Sequence, residues 1–345
     1  MGDNEARLNK SAIKKGTTWD TEVDVNAAGN GIYLTNPGAP KLNLQMLEDE
    51  QPTAFEKNLD VGNINPSDFS LESDYRWDGL ENLLLALLFG TAPAPTQQGA
   101  TAAWLHALSL ANKAEGLFAT YATEKLGKIH VVPSLKVMKA TFSMNNGLIR
   151  STFNCRGSRV IDNSAIITAM DSVTVPANAH HRAKALQAVF RMNAQNGADF
   201  GAGDVLKPKS YTLEIERKFD SEHVAGSNVI IESREVGKPV VKLAMEFPRM
   251  DAVNDDYFAE WSAATEKKAD IVITGPLIAS TYYYYLKFQF PRLIIEDAEY
   301  PDSKIIPAKV VLRGVEADAA PTGMTGLTLP VNAGLMNTRI TSLLA

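Results

Sequence analysis

The side chains that most often carry out chemistry are few in this sequence, and they are scattered along it. His180 and His181 are neighbours, so in a strand they would point to opposite faces and could not easily bind one metal ion together. Cys155 is the single cysteine, which excludes an intramolecular disulfide and a four-cysteine zinc site. We therefore interpret the two histidines as part of a solvated turn and Cys155 as a small buried residue.

Two acidic clusters could supply the paired carboxylates that acid–base catalysis requires. Glu48-Asp49-Glu50 has no accompanying motif, and Asp255-Asp256 lies at the predicted start of a helix, where acidic side chains are favoured electrostatically. The aromatic run Tyr282–Tyr285 lacks the basic groove of a nucleic-acid platform, which favours packing in the core or at a subunit interface. The sequence has no phosphate-loop, dinucleotide, serine-hydrolase or zinc-protease motif. We expect no enzyme activity, no cofactor and no metal site.

The composition is that of a soluble globular protein. The hydrophobic fraction is 45% and the charged fraction is 21%. A net charge of −6 disfavours a protein that binds DNA by neutralising its phosphates. The start of the chain lacks the pattern of a secretory signal, and the apolar stretch Leu80–Phe89 is too short to span a bilayer. We expect assembly in the cytoplasm and no association with a membrane.

The second half of the sequence echoes the first half, with matched residues in the same order. The first four matches share an offset of 173 (239 − 66). The matched pairs are Pro66 and Pro239, Arg76 and Arg249, Asp78 and Asp251, Ala86 and Ala259, Pro133 and Pro291, Leu135 and Leu293, Ala140 and Ala298, Arg156-Gly157 and Arg313-Gly314, and Pro176–Ala179 and Pro330–Ala333. A repeat of about 170 residues has the size of a folded domain. We predict a flexible arm at 1–19, a first domain at 20–178, and a second domain with a C-terminal arm at 179–345.

Alternating polar and apolar residues predict strands in both halves. The clearest are 41–46 and 211–216, where Leu213 and Ile215 would face a core while Glu214 and Glu216 face outward. Further strands are predicted at 128–132, 148–155, 228–233, 239–247, 282–290 and 306–312, with ends at Pro133 and Pro291 and hairpin turns at 145–147 and 301–303.

Each half is also predicted to contain one helix. Asp78 and Glu81 form a start that resembles a capping box, and Gly90 suits the C-terminal end. The apolar positions of this helix are Leu80, Leu84, Leu85 and Leu88, and those of the second helix, capped by Asp251, are Val253, Tyr257, Phe258 and Trp261. After its helix the first half has an insertion, predicted to be a surface loop at 92–99 and a short helix through Trp104 and Leu110.

This order of elements resembles the major tail tube proteins of long, non-contractile-tailed bacteriophages. The resemblance rests on a strand pair, the helix start Arg76–Glu81, and a hairpin ending at Asn154–Gly157, and it covers most of residues 40–178 and 208–333. It implies a mainly β chain with two tandem β-sandwich or barrel-like tail-tube domains, each with a flanking α-helix, and extended termini. It also implies a structural virion protein with no active site, assembled in the host cytoplasm into stacked rings that form the hollow tail tube and conduct DNA during ejection.

The resemblance further implies its partners: a tape-measure protein, tail terminator and tail tip proteins, and the chain itself. Two tube domains in each chain predict a homotrimeric ring with pseudo-sixfold symmetry. Flexible segments at 1–18 and 316–345 would become ordered when the next ring arrives. An acidic channel wall would let DNA pass without binding it. The candidate wall residues are Gln45, Glu48, Asp49, Glu50, Glu214 and Glu216.

The sequence leaves three other functions open. The first is a different ring or tube protein, such as a secretion-system tube, or a capsid decoration protein. The second is an enzyme that acts on the host cell envelope, although no nucleophile or metal constellation is recognisable. The third is a DNA-binding module, which the acidic charge balance disfavours.

Overall fold

A computed structural model of the protein describes residues 10–48, 59–125, 127–145, 147–248, 257–299 and 308–345. Over these residues the fold is mainly β, as predicted, with one antiparallel sheet of 15 strands and two smaller two-stranded sheets. In chain order the elements are β1 (Ser11–Lys15), β2 (Asn43–Glu48), β3 (Leu59–Asn65), β4 (Ser67–Asp74), α1 (Glu81–Phe89), β5 (Thr96–Gln97), β6 (Trp104–Ser109), β7 (Ala119–Lys125), β8 (Lys128–Asn145), β9 (Leu148–Gly157), β10 (Ala188–Ala194), β11 (Val205–Leu206), β12 (Ser210–Glu216), β13 (Phe219–Asp220), β14 (Arg234–Glu235), β15 (Val240–Phe247), α2 (Tyr257–Ser262), β16 (Glu266–Ala279), β17 (Tyr282–Glu299), β18 (Ala308–Gly314) and β19 (Asn332–Asn337). No helix among the described residues has the length and apolar character needed to cross a membrane.

The two halves of the chain pair their strands in the same order. The order is β1-β7-β8-β9-β4 in the first half and β10-β16-β17-β18-β15 in the second. A bulge lies between Val137 and Lys139 in β8, and another between Ile295 and Asp297 in β17. The halves are joined into one sheet because β12 pairs with β15 on one side and with β8 on the other.

The pairing of the strands also relates the two halves by a fixed offset in residue number. This offset differs by one residue from the offset of the first four sequence matches. Ser67 lies opposite Gly157, and Val241 lies opposite Gly314. Because the two glycines are matched residues, Ser67 corresponds to Val241, an offset of 174 (241 − 67) rather than 173. A slip of one residue would exchange the faces of a strand. The burial patterns agree with 174, since Ser67 and Val241 both begin an alternation of core-facing residues.

The long strands β8 and β17 pass through Pro133 and Pro291, so the predicted strand ends at these prolines are wrong. Both prolines lie where the register with the preceding strand shifts, between pairs to β7 and to β16 respectively. A bulge leaves one residue without a partner, and proline has no N–H to donate to a ladder. The bulges therefore accommodate the prolines. The hairpin predicted at 145–147 is confirmed, with Gly147 at φ 77° joining β8 to β9, whereas 301–303 lies outside the described residues.

Two other predicted elements are wrong. Residues 104–109 form the strand β6 rather than a helix, because the C-terminal strand β19 pairs with them along their whole length. Residues 228–233 are not a strand: their backbone bonds go to scattered partners, including Ile64 and Glu222, so no continuous ladder forms. In both cases non-local pairing decides the local structure.

The two helices pack against the long strand of their own half. Leu84 in α1 and Tyr257 in α2 are both buried, as predicted, and α1 contacts β8 while α2 contacts β17. Gly90, at φ 80°, ends α1 as predicted. Trp261 is 38% exposed, so its predicted place on the buried face of α2 is wrong. The predicted cap Asp251 and the apolar residue Val253 lie outside the described residues.

Asp78 does not cap α1. The residue before the helix is Leu80, and no side chain caps the helix start. The Asp78 carboxylate instead accepts hydrogen bonds from the backbone N–H and the hydroxyl of Thr338, at 3.0 and 3.1 Å. The expected capping geometry is replaced by a tie to the C-terminal region.

Strands lie in both segments that were expected to be flexible. β1 pairs with β7, and β19 pairs with both β17 and β6. The Lys15 ammonium donates to the carbonyl of Leu344 at 2.6 Å. Over the described residues, these parts of residues 1–18 and 316–345 are integrated into the fold rather than free arms.

Candidate assembly surfaces

The outward face of β12 carries two of the candidate channel residues. Leu213 and Ile215 are fully buried, whereas Glu214 and Glu216 alternate with them and are half-buried. This confirms the predicted alternation of the strand. The two glutamates lie on the sheet face opposite the core, beside the junction of the two halves.

This face carries charges of both signs. Glu214 Oε1 lies 2.8 Å from Lys139 Nζ, and Glu214 lies directly opposite Lys242 of β15. Lys242 is also 2.7 Å from Glu296. Arg313 is within 3.5 Å of Glu296 as well. Because cations and carboxylates alternate across the strands, the acidic character expected of this face is largely neutralised pair by pair.

The other candidate channel residues lie elsewhere. Gln45 and Glu48 are exposed on β2, which pairs only with β3 among the described strands and is separate from the 15-stranded sheet. Asp49 and Glu50 lie outside the described residues. The structure therefore places Glu214 and Glu216 together on one strand and puts Gln45 and Glu48 on a different hairpin.

The β2–β3 hairpin carries several large apolar side chains that are exposed to solvent. Five large apolar side chains on or next to it are between 47% and 59% exposed. They are Leu42, Met46, Leu47, Leu59 and Val61. Clustered exposed apolar side chains mark surfaces that contact another protein. The hairpin is a candidate surface for assembly.

A buried arginine fastens the second half of the chain to the helix of the first. Arg217 is almost fully buried and donates to the carbonyls of Leu88 and Phe89 at the C-terminal end of α1. It also donates to the carbonyl of Ala111 at 2.6 Å and to both carboxylate oxygens of Glu235. A cation at this end of a helix satisfies carbonyls that lack partners within the helix.

A second buried cation, Lys136, lies in the same junction. Its ammonium is 2.7 Å from Glu232 Oε1 and 5.0 Å from the ring centre of Phe219. The sequence patterns do not predict Arg217, Glu235 or Lys136 as junction residues. The alternation of buried residues along β12 could have indicated Arg217, because Arg217 follows Leu213 and Ile215 at the same spacing of two residues.

The strand pair β6–β19 forms a second junction between the halves. His106 is buried there, and its Nε2 lies 3.0 Å from both Asn337 Oδ1 and the carbonyl oxygen of Arg339. Burial lowers the pKa of His106, so the neutral ring is favoured in this contact.

The residues first considered for chemistry are explained by burial, exposure or packing. Cys155 is buried, as predicted, and burial raises the pKa of its thiol well above the usual value. His180 and His181 are exposed, as predicted, with ring centres 3.9 Å apart. Tyr284 of the aromatic run is buried and stacks with Trp77, while Tyr283 is exposed. Within the described ranges, no group of His, Cys, Asp and Glu is arranged to hold a metal ion.

Comparison with known proteins gives a family. The family model described as "Phage tail tube protein" matches residues 12–334 of this chain. No curated protein sequence matches the chain. Among solved structures, a chain of the "Cryo-EM structure of the anti-feeding prophage (AFP) baseplate, 6-fold symmetrised" is similar at 11% identity and a TM-score of 0.27, covering 41% of this chain and 92% of that chain. At this TM-score the likeness adds nothing to the assignment of fold or function.

Proposed function

This chain belongs to the phage tail tube protein family and is a structural component of the virion tail, and we propose that it is the repeating subunit of the tube wall. In this proposal, rings of the chain stack into the hollow tube of a long, non-contractile tail, and DNA passes through the channel during ejection. The single observation that carries the proposal is the shared strand order of the two halves, joined edge to edge by β8 and β12.

The first step of the proposal is that each chain contains two tube domains, at 20–178 and 179–345. Equivalent backbone contacts in the two halves support it. Thr35 N donates to the carbonyl of Glu72 at 2.8 Å, and Lys209 N donates to the carbonyl of Glu246 at 2.7 Å. Both residue pairs are related by the strand offset of 174. A shared order of five strands, a shared bulge and a shared edge contact are consistent with a duplicated domain.

The second step is the ring. The two domains of one chain meet through different edges, which is a head-to-tail contact, and repetition of such a contact generates a ring if the rotation closes. We propose that three chains close it, with six domains in pseudo-sixfold arrangement. The exposed apolar side chains of the β2–β3 hairpin provide a further surface for contact with another copy, in the next ring.

The third step is the channel. We propose that the outward face of β12, with Glu214 and Glu216, lines the channel, and that Gln45, Glu48, Asp49 and Glu50 lie near the wall. The basic side chains beside Glu214 are already paired with carboxylates, so the wall offers DNA no continuous row of free cations. Without such a row, little counterion release would hold DNA in place. The family further suggests a tape-measure protein and terminator or tip proteins as partners.

The ring is tested by native mass spectrometry and by averaged electron-microscopy images of the purified full-length chain. We expect three chains per ring and six similar lobes of density around a central hole. Six chains per ring, or compact particles without a hole, would contradict the proposal.

A further inference from the structure

The helix of the first half is completely buried, and residues of the second half help to bury it. All nine residues of α1 are buried. At the C-terminal end of α1, Arg217 donates to the carbonyls of Leu88 and Phe89. Just beyond this end, the hydroxyl of Ser342 donates to the carbonyl of Ala92 at 2.7 Å. The surroundings of α1 are therefore part of the contact between the two halves.

The helix of the second half has the corresponding place but is partly exposed. α2 packs on β17 as α1 packs on β8, and Tyr257 is buried in this contact. Ala259 and Ser262 are exposed, and Trp261 is 38% exposed. Trp261 is the second-last residue of α2, as Leu88 is of α1. The outer residues of α2 thus face solvent in a single chain, at the place where α1 is covered.

A second covered position of the first half also has an exposed counterpart. Lys136 of β8 is only 1% exposed, because Glu232 and Phe219 of the second half lie over it. Ile294 of β17 corresponds to Lys136, since each lies opposite the arginine of the repeated Arg-Gly pair. Ile294 is only half-buried. An apolar residue therefore takes the place of the buried cation.

The first half carries the counterpart of the segment that covers α1. Asn36 pairs with β4 and Ser210 pairs with β15 at positions related by the offset of 174. By the same offset (217 − 43), Asn43 at the start of β2 takes the place of Arg217. The Asn43 side chain is exposed and donates to the carbonyl of Pro66 in its own half at 3.4 Å. Like a guanidinium, its amide has N–H donors, but it has no charge.

We propose that the exposed residues of α2, with Trp261 among them, and Ile294 of β17 are covered by the first half of a second copy. The contact rests on the proposed ring and specifies which surfaces meet between chains. It places Asn43 of one copy at the C-terminal end of α2 of the next, as Arg217 lies at the end of α1. Each chain then offers each of the two surfaces once, as a closed ring of identical contacts requires.

The junctions within and between chains differ in their chemistry. Within the chain, the ammonium of Lys136 is buried and lies 2.7 Å from Glu232. Between chains, Ile294 takes the place of this cation. A second half placed on Ile294 would remove the cation that faces Glu232, and a carboxylate that loses water without gaining a partner is unfavourable. The charges therefore keep the two junctions from being exchanged.

Photo-crosslinking from α2 tests which surface covers it. Ser262→Cys, at the exposed end of α2, is labelled with a benzophenone maleimide, while Cys155 is fully buried and stays unlabelled. Asn112→Cys with the same label is the matched control, because Asn112 lines a cavity together with Lys238 and Pro239 of the second half. Each labelled protein is irradiated after assembly, separated on a denaturing gel and mapped by mass spectrometry.

The label at Ser262 is expected to give covalent dimers and trimers, joined through the peptide that contains Asn43 of another copy. The label at Asn112 is expected to give links within one chain, to the peptide that contains Lys238 and Pro239. Links from Ser262 to the second half of another copy, or links only within its own chain, would overturn the proposal.

The burial of Trp261 on assembly is a second measurement, and it needs no label. We expect acrylamide to quench the tryptophan fluorescence of assembled wild-type protein less than that of single chains. Trp261→Phe keeps an apolar ring at this position and reports the remaining tryptophans, so the difference between the two proteins isolates Trp261. An equal change in both proteins on assembly would contradict the proposal. This measurement decides the question if the labelled variant does not assemble.

The outcomes separate this contact from the ring itself. Trimeric rings by native mass spectrometry, with no link from Ser262 to another first half while the Asn112 control links, would overturn the contact and leave the proposed function standing. A wild-type chain that forms no rings would overturn both.

Discussion

Lys139 Nζ lies 2.8 Å from Glu214 Oε1, and these two residues belong to different halves of the chain. Both side chains are partly exposed, so the pair contributes at most about 1 kcal/mol to stability. The buried pair Arg217–Glu235 lies in the same junction, with both side chains almost inaccessible to solvent. The junction is therefore stabilised mainly from inside, and the exposed ion pair contributes little.

Arg217→Met is expected to destabilise the whole chain, because Glu235 would remain buried without its cation and the end of α1 would lose its donors. Loss of one partner of a buried pair costs about 3–5 kcal/mol. Urea unfolding followed by tryptophan fluorescence measures the change. The double variant Arg217→Met with Glu235→Gln should recover part of the loss, since no unpaired charge remains. Lys139→Met is the control at the exposed pair, and an equal loss there would contradict this account of the junction.

Leu84→Ala is expected to lower the free energy of unfolding by about 2–5 kcal/mol, the range for a leucine truncated in a packed core. Leu84 is fully buried between α1 and the sheet. Trp261→Ala in α2 is the comparison, because that side chain is 38% exposed and its removal should cost less. Equal losses in urea unfolding would show that burial in the two helices has been misjudged.

Glu81 makes stability depend on pH. Its side chain is fully buried. Desolvation raises the pKa of Glu81 to about 7, against the weaker opposing effects of a backbone hydrogen bond, a hydrogen bond from Ser73 and the charge of Arg76. A pKa raised on folding means that the charged form is disfavoured in the folded chain, so stability falls as pH rises from about 4.5 to 7.

Glu81→Gln removes this dependence. Relative to the wild type, the variant should be more stable by about 3 kcal/mol above pH 7, with the difference vanishing below pH 4.5. Urea unfolding of both proteins at matched pH values measures the difference. A stability difference that does not change with pH would rule out titration of Glu81 as its cause.

If the outward face of β12 lines the channel as proposed, Glu214→Lys with Glu216→Lys is expected to slow DNA ejection from assembled tails while tubes still form, because the added cations would bind phosphate. Glu216→Lys alone is the cleaner form, since Glu214 also pairs with Lys139. Glu216→Gln controls for loss of the carboxylate. Dye-reported DNA release measures the rate, and wild-type rates with intact tubes would place these residues away from the channel.

The sequence predicted the elements that local pattern determines. Leu213 and Ile215 alternate with polar residues, and the leucines of α1 recur with helical spacing, so burial could be assigned without knowing their partners. Strand β6 was mistaken for a helix because a short apolar run fits both periods. Its pairing with β19, from the far end of the chain, decides its structure.

The junction residues could not be predicted in the same way. Arg217 follows β12 directly and continues its core-facing alternation, but nothing in the sequence indicates that Glu235 and the carbonyls of Leu88 and Phe89 meet it. Those contacts depend on how the halves are placed together. The channel assignments of Gln45, Glu48, Glu214 and Glu216 remain predictions because they depend on contacts between chains.

The paired edges of β8 have a consequence for hydrogen–deuterium exchange. Between Lys139 and Ser143 this strand has neighbours on both sides, so its amides exchange only when the sheet opens. Over Asp297–Glu299, β17 has a described neighbour on one side only. Deuterium uptake in the isolated chain should therefore be slow in the first segment and faster in the second.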